Sequence, residues 1–483
     1  MDKKNKKKLI ILLITTIIVG GLLIFSIIFG SSGLFDGESK SLVKSETVYV
    51  IVALMVLLPI FLFSLAFVVA KKRKIKIIQK AKLDIDNVKR LKTKAKIKAG
   101  ATNGVGAGEN ITKEDKEEEE KEENPKERFC MLSEIDKKMA GKKEIKGEEI
   151  SFKELCERFR NFCASELKLY YSIQDIRKFI AGMCVSHILI MQGMSGTGKT
   201  SLAFAFGEFL GNSSTIVPIQ PMWKERTDLV GYYNEFTGKF NETLLLEKMY
   251  EANYSKEIYI TVLDEMNIAR VEYYFAEFLS LLEIPKEEGR YIDVVADKRE
   301  GDPKLLKEGR LKLPKNMWYI GTANNDDSTF AISDKVYDRA MIMNLDKKTQ
   351  PFSAEKTKGV KISIDEWERR VLDAKRIYGM TGRNKRRIRE LDKYMIDNFH
   401  ITFGNRIMKQ IKEYVPIYVA CGGEELEAID DIITKKIMRK LETQNPVYVR
   451  KAIGGLVEEI NEIFGENEMI NCIEYLTHLE KVI

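Results

Sequence analysis

The chain has 483 residues, 44% hydrophobic and 31% charged, which is ample for two or three packed domains and excludes a chain too polar to bury a core. Its formal net charge is +7, but much of the excess sits at Lys3, Lys4, Lys6, Lys7 and Lys8 and at Lys71, Lys72, Arg73 and Lys74, beside apolar segments, so it reads as membrane topology before nucleic-acid affinity. The six cysteines form no C-x-x-C pair, which argues against a disulfide framework or a zinc site.

Residues 9–29 and 47–70 carry no charge, and each reaches the roughly 20 residues a helix needs to cross about 30 Å of hydrocarbon. The first run is longer than the apolar stretch of a secretory signal. Lysine and arginine flank the outer ends of the pair while the connecting segment is nearly balanced. The positive-inside rule then places both termini in the cytoplasm. Residues 1–72 are therefore expected to form a transmembrane hairpin of a multi-pass membrane protein, in contact with lipid. Residues 71–98 are rich in Lys, Ile, Leu and Ala and predict a basic helix, either lying on anionic lipid or simply solvated. The glycine-rich and acidic stretch that follows cannot bury a core, so 73–127 is expected to be basic helix and linker. From Phe129 the pattern is globular. The expected partition is an α/β nucleotide-binding domain over 128–350 and a helical lid with further helices over 351–483.

The segment HILIMQGMSGTGKTSLAFAFGEFL runs from an apolar strand through a glycine-rich turn into a helix. Within it Gly193, Met194, Ser195, Gly196, Thr197, Gly198, Lys199, Thr200 and Ser201 carry the pattern G-x-x-x-x-G-K-T and the residue after it. The glycines let successive backbone N–H groups face phosphate oxygens, the helix N-terminus adds its positive end, Lys199 is expected at the β and γ phosphates, and Thr200 on Mg2+. IYITVLDE reads as a buried parallel strand ending on Asp264, which would hold the magnesium, and Glu265, which would polarise the attacking water. A third strand, MWYIGTANNDDSTF, turns polar at Thr322, Asn324 and Asn325, and Asn324 is the candidate for positioning the water. Arg339 follows in AISDKVYDRAMIMNL, where an arginine could cross to a neighbouring subunit.

In this order, the phosphate loop, LDEMNIARVEYYFAEFLSLLE, GTANNDD and SDKVYDRA resemble the AAA+ superfamily of P-loop ATPases, specifically its dynein-related and McrB-like branch, over roughly residues 150–420. QPMWKERTDLVGYYNEFTGKFNETLLLEKMYEA looks like that branch's insertion in the second-helix region, and RYIDVVADKREGDPKLLKEGRLKLPKN like its hairpin before the third strand. The resemblance implies a parallel-sheet α/β fold with an all-α lid. It makes Asn324 the sensor-1 residue, Arg339 an arginine finger acting in trans, and Arg406, in FGNRIMKQI, a sensor-2 candidate opening a lid helix. Asn267 and Arg270 match positions placed at the subunit interface, with a helix-capping role for Asn267 as the alternative. The resemblance further implies self-association into a ring, commonly a hexamer, and hydrolysis of ATP with Mg2+. GTP is the alternative substrate, because GTP-using members carry N-T-A-D where this chain has Asn324, Asn325, Asp326 and Asp327.

A built-in metalloprotease is excluded, since His187, His400 and His478 lie far apart and no H-E-x-x-H occurs. The leading expectation is a membrane-anchored motor that remodels or assembles an unidentified protein partner at the cytoplasmic face, in a setting such as a defence system. The alternatives are a nucleotide-gated membrane scaffold and a motor coupled to a separate nuclease. The last would bring nucleic acid in as a partner, although no DNA-reading domain stands in the sequence.

Overall fold

A computed structural model of the chain describes residues 127–139, 147–324 and 329–483. The expected spans 9–29 and 47–70, the basic helix, the linker up to 126, and positions 325–327 lie outside them. Among the described residues no helix is long and apolar enough to cross a membrane.

Helices α1 (Met131–Met139), α2 (Phe152–Glu166) and α3 (Ile173–Val185) precede the sheet. Ser151 and Ser172 begin α2 and α3 by accepting the Glu154 and Asp175 N–H groups, which would otherwise lack partners. The α/β part follows as β1 (Ile188–Gln192), α4 (Lys199–Leu210), β2 (Thr215–Pro218), α5 (Arg226–Val230), β3 (Gly231–Asn234), β4 (Lys239–Glu242) and α6 (Leu244–Ala252). It continues through β5 (Tyr259–Asp264), α7 (Val271–Tyr274), α8 (Ala276–Leu281), β6 (Tyr291–Asp293), β7 (Arg310–Lys312), β8 (Met317–Ala323), α9 (Asp334–Tyr337) and β9 (Met341–Asn344). Six helices complete the chain: α10 (Ile364–Ile377), α11 (Gly382–Phe399), α12 (Gly404–Ala420), α13 (Glu425–Lys436), α14 (Pro446–Phe464) and α15 (Ile470–Val482).

Five strands form one parallel sheet in the order β2-β5-β8-β1-β9. Strand β8 therefore lies between the strand that leads into the glycine-rich loop and the strand that ends in acids. The two segments that resemble branch-specific insertions contain the antiparallel hairpins β3–β4 and β6–β7.

Successive side chains of a strand point to opposite faces, and the sheet uses this to divide two cores. Ile188, Ile190, Tyr259, Leu263, Met317 and Tyr319 enter one; Leu189, Met191, Ile260, Val262, Trp318 and Ile320 enter the other. The first core is closed by α1, α6, α7, α8 and the β6–β7 hairpin. The second is closed by α2, α3 and α4 together with side chains from α10 through α15. The expected lid helices thus share a core with one face of the sheet. Trp367 of α10 makes that junction, with Phe152, Phe206 and Trp318 rings edge-on at 5.5, 6.4 and 5.8 Å.

Removing this buried ring opens a cavity between sheet and helices. Trp367→Ala is expected to cost about 3–5 kcal/mol, read as a lower urea midpoint with sheet and helices still unfolding in one transition; two separated transitions would show that the helices hold their own core.

Candidate functional site

The glycine-rich loop joins β1 to α4 at the C-terminal edge of the sheet, where ligands of open α/β folds bind. Gly193, Gly196 and Gly198 have φ of 138°, 76° and 95°, conformations that a Cβ strains. At Gly193 a Cβ would also stand 2.7 Å from the Leu345 carbonyl oxygen and from Asp346 Oδ1. No side chain caps α4, and the N-terminal end of a helix is suited to an anion. The Lys199 ammonium is buried and donates to the Gly193 and Met194 carbonyls at 2.8 Å each. Thr197 Oγ1 donates to the Met194 carbonyl, and Tyr171 Oη to that of Gly198. Burial raises the Tyr171 phenol well above its usual range, so it stays a donor.

Thr200 Oγ1 donates to Asp264 Oδ1 at 2.7 Å, bringing the hydroxyl on α4 and the carboxylate ending β5 to one point. Both are hard oxygen donors, and such a pair fits Mg2+, which retains several of its waters and takes few protein ligands. Glu265 follows at φ 53° and is exposed. The Glu265 N–H donates to Thr322 Oγ1 at 2.9 Å, and Thr322 Oγ1 donates to Asp264 Oδ1 at 2.9 Å. Asn324 stands at the tip of β8. Asn267 Nδ2 donates to the Asn324 carbonyl at 2.8 Å, and the Asn324 N–H donates to Asn267 Oδ1 at 3.3 Å. Asn267 is buried and makes no cap hydrogen bond, so the helix-capping alternative does not describe it. Arg270 is exposed and lies over the rings of Tyr273 and Phe330.

Arg339 and Arg406 come together, but not at the chain's own phosphate loop. Ser186, before β1, donates to the Arg339 carbonyl, whereas the Leu345 N–H meets the Gln192 carbonyl at the other end of that strand. The two ends are about 13 Å apart at the usual rise per residue. Arg339 Nε and an Arg406 terminal nitrogen both pair with Glu283, at 2.8 and 2.7 Å. Helix α12, which carries Arg406, packs on α3. His187, Arg290 and Lys409 line the same open depression of about 600 Å³. Neither Glu283 nor Lys436 carries a sequence signal. Lys436, on α13, donates to the Tyr337 and Ala340 carbonyls on either side of Arg339 and so fixes the turn that presents it. Burial lowers its ammonium to about 7; Asp338 opposes the shift, while Arg439, Lys440 and Arg406 add to it.

Residues 188–340 match the family described as AAA domain (dynein-related subfamily). The chain is similar to a crystal structure of a candidate ATPase from Cytophaga hutchinsonii, at 11% identity and TM-score 0.43, over 68% of this chain and 96% of that one. It is also similar to a full-length MCM homolog from Methanopyrus kandleri, at 10% identity and TM-score 0.33, over 60% of this chain and 62% of that one. No curated protein matches the chain.

Because the folded Lys436 titrates near 7 and the unfolded one near 10.4, the unfolded state binds more protons between these values, and stability rises with pH across that window. Thermal melts of native protein and Lys436→Met from pH 6.5 to 10.5 are expected to show this rise in the native protein only.

Proposed function

We propose that this chain, an ATP-hydrolysing enzyme built on an AAA domain, works as a membrane-anchored ring motor that remodels or assembles a protein partner at the cytoplasmic face. The observation that carries the reading is the distance between its two halves of a hydrolytic site. The phosphate loop, Thr200, Asp264 and Glu265 stand at one end of the sheet, and Arg339 and Arg406 at the other. Such arginines can serve a nucleotide only on a neighbouring copy, and AAA+ ATPases commonly assemble as rings. The apolar runs 9–29 and 47–70 support the anchor.

In this reading the loop N–H groups and Lys199 bind the β and γ phosphates. Thr200 and Asp264 hold Mg2+, which when bound neutralises charge developing on the phosphate oxygens. Glu265 takes the proton of the attacking water, and Asn324 orients that water. Arg339 and Arg406 of the adjacent copy complete the charge stabilisation, so we assign Arg406 to the same trans face as Arg339. ATP is the favoured substrate and GTP the alternative. DEMNIAR and the two hairpins support the McrB-like branch as the finer placement; stimulation by DNA would favour its nuclease-coupled form.

Turnover of ATP and GTP by the full chain in detergent is expected to fall on dilution, and to drop at least about 100-fold in Glu265→Gln and in Arg339→Ala. Nucleotide binding without turnover in concentrated native protein would instead favour the scaffold. Glu283 competes for both arginines, so Glu283→Gln is expected to lower the protein concentration at half-maximal turnover about 3-fold or more; an unchanged or higher concentration would make Glu283 a support for the arginines and not a competitor. Alkaline carbonate should fail to release the chain from membranes.

A further inference from the structure

We propose that Thr322 and Asn267 are positioning residues that join the tips of β5 and β8 into one hydrogen-bonded unit, Thr322 setting the metal-binding carboxylate and Asn267 setting the segment that carries Asn324. The proposal rests on the hydrolytic reading above and assigns two further residues to it.

Strand order creates the need. Since β8 lies between β1 and β5, the hydroxyl of Thr200 and the carboxylate of Asp264 must meet across its tip. Thr322 is that tip, in register with Met191 of β1 and next to Gly321, which pairs with Leu263 of β5. The Thr322 side chain is only 3% exposed, and its hydroxyl is used in both directions. It donates to Asp264 Oδ1, the oxygen that also accepts from Thr200, and it accepts the N–H of Glu265. That second bond holds a non-glycine residue in the left-handed region, a conformation needing outside support. Valine has the same shape and can do neither.

Asn267 acts on the neighbouring segment. It is 4% exposed, and its side-chain amide donates to the carbonyls of Asn324 and Phe330 at 2.8 and 3.2 Å while its oxygen accepts the Asn324 N–H. Its own carbonyl accepts the Phe330 N–H at 2.8 Å. Asn324 and Phe330 are thus both tied to the turn that follows Glu265. None of these hydrogen bonds goes to Asp264, so Thr322 and Asn267 should leave different signatures.

The experiment uses the full chain in detergent and reads two quantities against Mg2+ concentration, binding of a fluorescent ATP analogue and ATP turnover. Thr322→Val is expected to raise the Mg2+ needed for half-maximal binding about 10-fold and to lower kcat about 10-fold or more, the size of loss seen when a group supporting a metal ligand is removed. Thr322→Ser is expected to restore both to within about 3-fold. Asn267→Asp, which keeps the acceptor and loses the donors, should lower kcat with its Mg2+ dependence unchanged. Native Mg2+ dependence and kcat in Thr322→Val would overturn the proposal, as would a lowered melting temperature with both retained; should the valine variant not fold, Thr322→Ala takes its place. If native protein and Glu265→Gln turn over ATP equally slowly, the hydrolytic reading fails, and the binding measurement still decides for Thr322.

Discussion

The hydrogen bond between Thr200 and Asp264 is possible only because three parallel strands end together. Residues far apart in sequence, on α4 and β5, meet at 2.7 Å because β1 and β5 both pair with β8 and all three run the same way. An antiparallel neighbour would carry its C-terminal tip to the opposite edge. The parallel arrangement in turn requires long crossovers, and these supply the helices that close the two cores. Gly321 shows how tight the arrangement is, since a Cβ there would fall 1.9 Å from Met266 Sδ in the turn after Glu265. The small residue on β8 lets the turn after Glu265 pack directly over it.

The opposite edge of the sheet carries a different chemistry. Arg339 enters β9 from a short turn, and Arg406 begins a helix anchored by the C-terminal core; one carboxylate, Glu283, holds both. Neither arginine is placed by local sequence. Arg339 depends on Lys436, far along the chain on α13, which bonds the carbonyls flanking it. Burying a lysine amine is costly, and the two carbonyls that accept from it are what the helical part contributes to the geometry of that turn. The helices after β9 are therefore part of how the sheet presents its far edge, and Trp367 and Lys436 are two of the points where this coupling is visible.

Motifs whose chemistry is local are legible in the amino-acid sequence. The glycines at 193, 196 and 198 have positive φ because a backbone that curls around phosphate requires it. The run ending in Asp264 and Glu265 is a buried strand because β-branched and aromatic residues with no charge before the final acids suit a sheet covered on both faces. Less legible are residues whose role is to hold another residue. In sequence Asn267 fits an interface position or a helix cap; it caps no helix, because its amide partners come from the tip of a different strand. Glu283 and Lys436 have no motif, since one charge beside an ordinary helix looks the same whether it is solvated or paired. Arg406 is legible as the start of a helix, but not as a neighbour of Arg339, because the two meet through Glu283, which is remote from both in sequence.

By itself the sequence determined the chemistry available to this protein: a backbone that can wrap phosphate, a hydroxyl and a carboxylate suited to Mg2+, a second acid beside that carboxylate, and two uncharged apolar runs. It could do so because each depends on residue types at fixed short spacings, where the chain's own geometry limits the outcome. Tertiary structure decided which of these groups share an edge of the sheet and which are kept apart. Strand order placed Thr322 between Thr200 and Asp264, and helix packing set Arg339 and Arg406 beside Glu283. Such juxtapositions arise from burial of two apolar cores on opposite faces of one sheet, and burial is a property of the whole chain that no short segment carries.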